Sequence, residues 1–273
     1  MPRPRIIVLC GRSPRHLYVA NRLCEAADVQ AIVHETGGWS VRKLRRLLNP
    51  KTFWQKAWRW LRDRRRYTGG GEAQYFFGDR PAALDHPERV TLVPTVNDPA
   101  VVELVDRIQP DYVAVFGTTL IREPLLGRAT LLNLHGGLSP DYRGADCTFW
   151  ALHNGEPEQV GCTLHFIDAG IDTGRLIAHV CPAVHPDDDE LRLFWRAVRD
   201  SAEVYARMLE RLSAGEPIGE HQARRGRLYR VSDRTLRSER ALAERLQREP
   251  LPELPPRIRW FGGPAAARRE AQA

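Results

Sequence analysis

Asn133 and His135 lie two residues apart in the apolar run 131–135, and Asp172 follows His135 by 37 residues in a glycine-rich turn. On a strand, two-residue spacing sends both side chains to one face. An Asn amide can donate to a developing oxyanion. An imidazole can take or give a proton near neutral pH, and a neighbouring carboxylate orients it and favours its charged form. The sequence places no Ser or Cys nucleophile beside this group, so direct transfer between two bound molecules is expected rather than a covalent enzyme intermediate. A lone Asn or His in a strand usually serves the core. Three such residues, met in order at strand ends, favour chemistry instead.

The elements that must carry them read as follows. Residues 6–10 form a continuous apolar run ending at Gly11, the pattern of a buried parallel strand. Residues 16–27 have helical apolar spacing and 29–34 a second strand, giving a βαβ opening. Asp98 caps a helix to about residue 108, with Pro99 at its first position. Strands follow at 112–116, 131–135, 160–167 and 175–184, then a long helix to about residue 213. Residues 72–97 read as loop, with a short strand at 91–93. Beyond Gly215 the sequence suggests a hairpin over 221–231, turning at Arg225-Gly226, then a charged helix over 234–248 and a Pro/Ala-rich tail. The expected fold is α/β: a Rossmann-like, mostly parallel sheet with a short C-terminal hairpin and helix. Residues 1–214 would form the catalytic domain, with a basic insertion at 42–71, and 215–273 the extension. Ligands in such sheets sit at the carboxyl ends of the strands, which directs attention to the residues after Phe116, His135 and Ile167.

Two stretches carry a resemblance. Asn133-Leu134-His135-Gly136-Gly137-Leu138-Ser139-Pro140-Asp141-Tyr142-Arg143-Gly144 resembles the N-x-H-x-S-L-L-P-x-Y-x-G signature of folate-dependent formyltransferases. Gly161-Cys162-Thr163-Leu164-His165-Phe166-Ile167-Asp168-Ala169-Gly170-Ile171-Asp172-Thr173-Gly174 is similar to that family's second motif, which ends in the catalytic aspartate. The resemblance covers roughly residues 1–210. It implies the formyltransferase fold and transfer of a formyl group from N10-formyltetrahydrofolate to an amine, with Asn133, His135 and Asp172 as the catalytic trio. It also implies pterin binding along Phe116, Gly117, Thr118, Thr119, Leu120 and Ile121 and along the turn Asp168, Ala169 and Gly170. Asp168 fits either a turn cap or a pterin contact. Gly137, Ser139, Tyr142 and Arg143 are the candidates for acceptor contact, with loop packing equally open for the last two. The family's Ser and second Leu are Gly137 and Ser139 here, which changes the lip of the acceptor pocket. The first strand ends in Gly11-Arg12-Ser13-Pro14 and carries no G-x-G-x-x-G loop. That argues against a nicotinamide dehydrogenase and against a ribose-phosphate acceptor bound there. His165, alternating within a strand, reads as packing, and Cys147 and Cys162 read as buried apolar residues.

The acceptor is expected to be a small-molecule amine, above all a nucleotide-linked amino sugar of a bacterial surface-glycan or natural-product pathway. A formyltetrahydrofolate hydrolase and a methionyl-tRNA formyltransferase-like enzyme are the alternatives. Charge bears on this choice. The chain has 273 residues and a net charge of +7. Residues 42–66 hold eleven basic residues and one acid, a local +10, so the other 248 residues sum to −3. The catalytic body therefore presents no general polyanion-binding field, and nucleic acid is disfavoured as a partner. The basic segment, with Leu and Trp at helical spacing, fits an insertion over the active site, a membrane-surface contact, or less well a nucleic-acid contact; a homodimer is also open. Five cysteines without C-x-x-C spacing indicate neither disulfides nor zinc, and His153, His179, His185 and His221 have no metal-like spacing. No signal h-region and no apolar stretch of about 20 residues is present, so a cytoplasmic location is expected.

Overall fold

A computed structural model describes residues 3–37, 53–54, 57–58, 60–61 and 70–262. The chain opens with β1 (Arg5–Cys10), α1 (Pro14–Ala26) and β2 (Asp28–Glu35). It continues with α2 (Gly71–Phe77), β3 (Val90–Val93), α3 (Pro99–Ile108), β4 (Tyr112–Phe116) and β5 (Leu131–His135). Next come β6 (Tyr142–Gly144), α4 (Cys147–Asn154), β7 (Cys162–Phe166), β8 (Leu176–Cys181) and α5 (Glu190–Ser213). The C-terminal part holds β9 (Arg227–Tyr229), α6 (Leu236–Arg248) and β10 (Arg257–Trp260). Among the described residues, no helix is long and apolar enough to cross a membrane.

The main sheet runs β10-β8-β7-β5-β4-β1-β2-β3. Its pairings from β3 to β5 are parallel, and β7, β8 and β10 continue it antiparallel. The unbroken apolar run of β1 follows from burial on both faces. Ile6, Val8 and Cys10 pack with α1 and α5 on one side, and Ile7 and Leu9 with α3 on the other. Asp98 caps α3 through the Ala100 N–H at 3.0 Å. The neighbours of β1 are β2 on one side and β4 on the other, so the chain reverses direction across the sheet there. The carboxyl ends of β1 and β4 form the switch point where such sheets bind ligands.

One side chain fixes the floor of that region. The Tyr205 hydroxyl, fully buried on α5, donates to the Leu132 carbonyl at 2.6 Å and accepts the Val115 N–H at 3.1 Å. It bridges β4 and β5 beside Asn133. Tyr205→Phe strips both backbone groups of a partner, and we expect a loss of about 1–3 kcal/mol in unfolding free energy, read from urea denaturation. A change within a few tenths of a kcal/mol would show that the bridge is idle.

Three local expectations are corrected. The segment expected as loop over 72–97 contains α2, whose seven residues are too few to display a helical period. The expected hairpin at 221–231 does not form. Only β9 is extended there, and it pairs in parallel with β6 as a separate two-stranded sheet. The tail contributes β10 to the main sheet, antiparallel to β8. Strand pairing β6–β9 and β8–β10 joins residues on either side of residue 214. Of the basic insertion at 42–71, only residues 53–54, 57–58, 60–61 and 70–71 fall within the described set.

Candidate active site

β4 and β5 end side by side, and the residues following them open into a cleft of about 320 Å³. Phe116, Gly117, Thr118, Thr119, Leu120 and Ile121 line one wall, Gly170, Ile171 and Asp172 the other, and Asn133, His135 and His165 the floor. Gly117 has φ +70°, and a Cβ there would strike the ring of His16. His16 is buried beneath the switch point, and burial holds its pKa down to about 3, so it packs there as a neutral ring. Glu35 at the end of β2 holds the Thr118–Thr119 turn, accepting the Thr119 N–H at 2.8 Å and its hydroxyl at 2.7 Å. Leu120 and Ile171, 38% and 40% exposed, both line the cleft. Exposed apolar side chains in such a cleft suit a flat heterocycle.

The polar floor is internally connected. His135 Nε2–H donates to the Tyr142 carbonyl at 3.0 Å, so Nδ1 is the basic nitrogen. It lies 3.5 Å from Asp172 Oδ2. Burial lowers the pKa of His135, and the Asp172 charge opposes that in part. Burial alone would raise the Asp172 carboxyl. The His135 charge and the Gly144 N–H hydrogen bond (2.9 Å) work against it, and the group is held well below the usual carboxylate range. Asp172 takes a positive φ of +52°, and its turn is held by the Gln222 amide, which donates to the Asp172 and Gly174 carbonyls at 2.9 and 2.8 Å.

His135 also faces a second cavity of about 250 Å³ behind the first. Gly136 and Gly144 border both spaces, and Arg15, Asp146, Thr148, Glu190 and Arg234 line only the second. The Thr148 hydroxyl is buried there without a protein partner. His135 therefore stands in the wall between two chambers, with Asn133 and Asp172 on the side of the first.

A family model described as Formyl transferase matches residues 80–209, the stretch containing both walls of the cleft and its whole floor. Over that stretch the chain is similar to formyl transferases. A methionyl-tRNA formyltransferase of Chlorobium chlorochromatii is 35% identical over 137 residues, which is 50% of this chain and 43% of that protein. The chain thus spans less than half the length of the curated relatives it matches first. A sugar N-formyltransferase from Shewanella sp FDAARGOS_354 shares the fold, with a TM-score of 0.58 at 17% identity, covering 88% of this chain and 86% of that one. Glycinamide ribonucleotide transformylase 1 from Symbiobacterium toebii does so with a TM-score of 0.53 at 21% identity, covering 83% and 94%.

The expected trio Asn133, His135 and Asp172 converges on one floor. The expected pterin-side residues 116–121 and Gly170 line the cleft. Asp168 and Ala169 do not line it, and Asp168 caps its own turn through the Gly170 N–H at 3.0 Å and the Thr173 hydroxyl at 2.6 Å. The expected acceptor contacts Gly137, Ser139, Tyr142 and Arg143 line neither cavity. A Cβ on Gly137 would meet Cys147 and the Tyr142 carbonyl, and Ser139 is fully buried. Tyr142 stacks on Tyr229 and donates to Glu156, and Arg143 donates to the Ile171 and Gly226 carbonyls at 3.1 and 2.9 Å. These residues brace the site from behind.

Two further expectations change. His165, read as packing, lines the cleft. Its Nδ1–H donates to the Phe166 carbonyl at 2.8 Å, so Nε2 accepts from the Asn133 amide at 3.0 Å, which aims the remaining amide hydrogen. Cys147 is buried as expected, yet its Sγ lies 3.6 Å from His135 Nε2, so a cysteine does adjoin the trio. Burial and the nearby Asp172 and Asp146 push that thiol well above its usual pKa, the reverse of what activates a nucleophile. Among the described residues no group of His, Cys, Asp and Glu is placed to hold a metal ion.

Proposed function

We propose that the protein is an N-formyltransferase that carries a formyl group from N10-formyltetrahydrofolate to a primary amine. The observation that carries this reading is the placement of His135 between two cavities, with Asn133 and Asp172 beside it on the larger one. The donor's pterin would occupy the larger cleft between Leu120 and Ile171, held by backbone groups of residues 117–121 and 170–171. The acceptor amine would enter from the smaller cavity.

The chemistry asks little beyond these groups. The amine nitrogen attacks the formyl carbon, a new N–C bond forms, and the bond to N10 breaks. Asn133, aimed by His165, donates to the oxygen as it gains charge. The amine loses a proton and N10 gains one. His135 Nδ1 carries it between them, and Asp172 balances the imidazolium at 3.5 Å. The high Cys147 pKa supports direct transfer over an S-formyl intermediate.

For the acceptor, a nucleotide-linked amino sugar or another small amine is the reading we favour, since the smaller cavity is lined by a mixed set of charged and hydroxyl groups, Arg15, Asp146, Thr148, Glu190 and Arg234, suited to a small polar molecule. Formyl transfer to an aminoacyl-tRNA is the second reading, favoured by the identity to methionyl-tRNA formyltransferases. All five cysteines are free thiols, which fits the proposed cytoplasmic location. In the test, purified protein with N10-formyltetrahydrofolate releases tetrahydrofolate only when a suitable amine is added. Nucleotide-linked amino sugars, amino acids and formylatable tRNA are screened by mass spectrometry for a formyl addition. Steady release without amine would replace the transferase reading with a hydrolase.

A further inference from the structure

Residues 42–66 hold the local +10 of the chain, and within them the described positions are Phe53, Trp54, Ala57, Trp58, Trp60 and Leu61, all helical. At ~100° per residue these six apolar side chains fall within about 160° of each other around a helix. Four of the six are exposed, and Ala57 and Trp58 are half-buried. Phe53 is 50% exposed, Trp54 71%, Trp60 58% and Leu61 49%, and Phe53 and Trp54 meet edge to face with ring centroids 5.9 Å apart. A concentrated apolar patch of this kind on a folded surface marks a binding face.

The charge and the aromatics together select the partner. Eleven cations call for an anionic surface. A duplex nucleic acid would use the cations through its phosphates but would leave the Trp, Phe and Leu face in water. A bilayer uses both: exposed Trp, Phe and Leu side chains enter the boundary between headgroups and acyl chains, and a high local density of cations is drawn to the phosphates. We propose that the face formed by Phe53, Trp54, Trp60 and Leu61 docks this protein on an anionic phospholipid bilayer. The docking face also lies close in sequence to the site. Leu61 precedes α2 by ten residues, and Glu72 on α2 accepts from the Arg15 guanidinium at 2.6 Å, while Arg15 lines the smaller cavity. If the formyl-transfer reading holds, the acceptor side of the enzyme would work at the membrane surface. The docking itself does not depend on that reading.

The test is co-sedimentation of the full chain with phosphatidylcholine vesicles and with phosphatidylcholine–phosphatidylglycerol vesicles, at low and high salt. Strong pelleting is expected only with the anionic vesicles at low salt. The triple variant Phe53→Ser/Trp54→Ser/Leu61→Ser should bind them about tenfold more weakly, with the melting temperature and solution transfer activity of the parent. Two results would overturn the proposal: no pelleting of the parent with anionic vesicles at low salt, or equal pelleting of parent and variant. A third would replace it: self-association in sedimentation velocity that the triple variant abolishes, since the face would then belong to a second copy of the chain.

Discussion

His135→Ala is expected to lower the rate of formyl transfer by about 10³-fold or more, because it removes both the proton carrier and the partner of Asp172. The fold should survive, since the ring's one backbone bond, to the Tyr142 carbonyl, is replaceable by a water in the space vacated. Unchanged circular dichroism with activity lost is the result that separates catalysis from scaffolding. Asp172→Asn should cost about 10²-fold, because the amide keeps the shape and loses the charge that stabilises the imidazolium. The pH profile carries an independent check. His135 must be neutral to accept the amine's proton, and burial lowers its pKa below the ordinary imidazole value. The enzyme-side acid limb of the profile, with acceptor ionisation accounted for, should therefore lie below that ordinary value. In Asp172→Asn it should move lower still, since the charge that favours protonation is gone. Full activity of His135→Ala, or an acid limb that Asp172→Asn leaves in place, would remove His135 from the proton path.

The trio was legible because each member closes an element with its own signal. Asn133 and His135 end an apolar run, and Asp172 sits in a glycine turn whose neighbours form a recognisable motif. His165 was not legible, for a reason of pairing. β7 runs antiparallel to β5 with His165 opposite Asn133, and that register depends on a contact across 32 residues that local alternation cannot reveal. Gln222 and β9 were hidden in the same way. A three-residue strand has no period to detect, and its partner is β6, the strand that lends its Tyr142 carbonyl to His135 and its Gly144 N–H to Asp172. The parallel half of the sheet could be read from β1, β2, β4 and β5 because burial on both faces leaves continuous apolar runs. The antiparallel edge strand β10, with three exposed residues of four, offers no such run.

Arg234→Ala is expected to cost about 3 kcal/mol of stability, within the usual penalty for breaking a buried ion pair from one side. The Arg234 side chain is 1% exposed and reaches Glu239 at 2.6 Å, Glu190 at 2.8 Å and Asp146 at 3.0 Å. Its guanidinium carbon lies 3.9 Å over the Phe149 ring. Burial would lower its pKa, yet the three carboxylates raise it further, so the cation is fixed in place. Its removal leaves three carboxylates converging on a space without the charge that draws them together. Arg234→Lys should fall between the two proteins, because an ammonium keeps the charge but cannot fork to Glu190 through two nitrogens. Urea denaturation at neutral pH measures both, and a loss below about 0.5 kcal/mol for Arg234→Ala would mark the cluster as dispensable, as exposed pairs are. The consequence should reach catalysis as well. Asp146 immediately precedes α4, whose first residue, Cys147, adjoins His135, and Arg234 itself lines the smaller cavity. A loosened cluster should therefore raise the KM for the acceptor more than the KM for the folate donor, because Arg234 lines the smaller cavity proposed for the acceptor and not the larger cleft proposed for the donor.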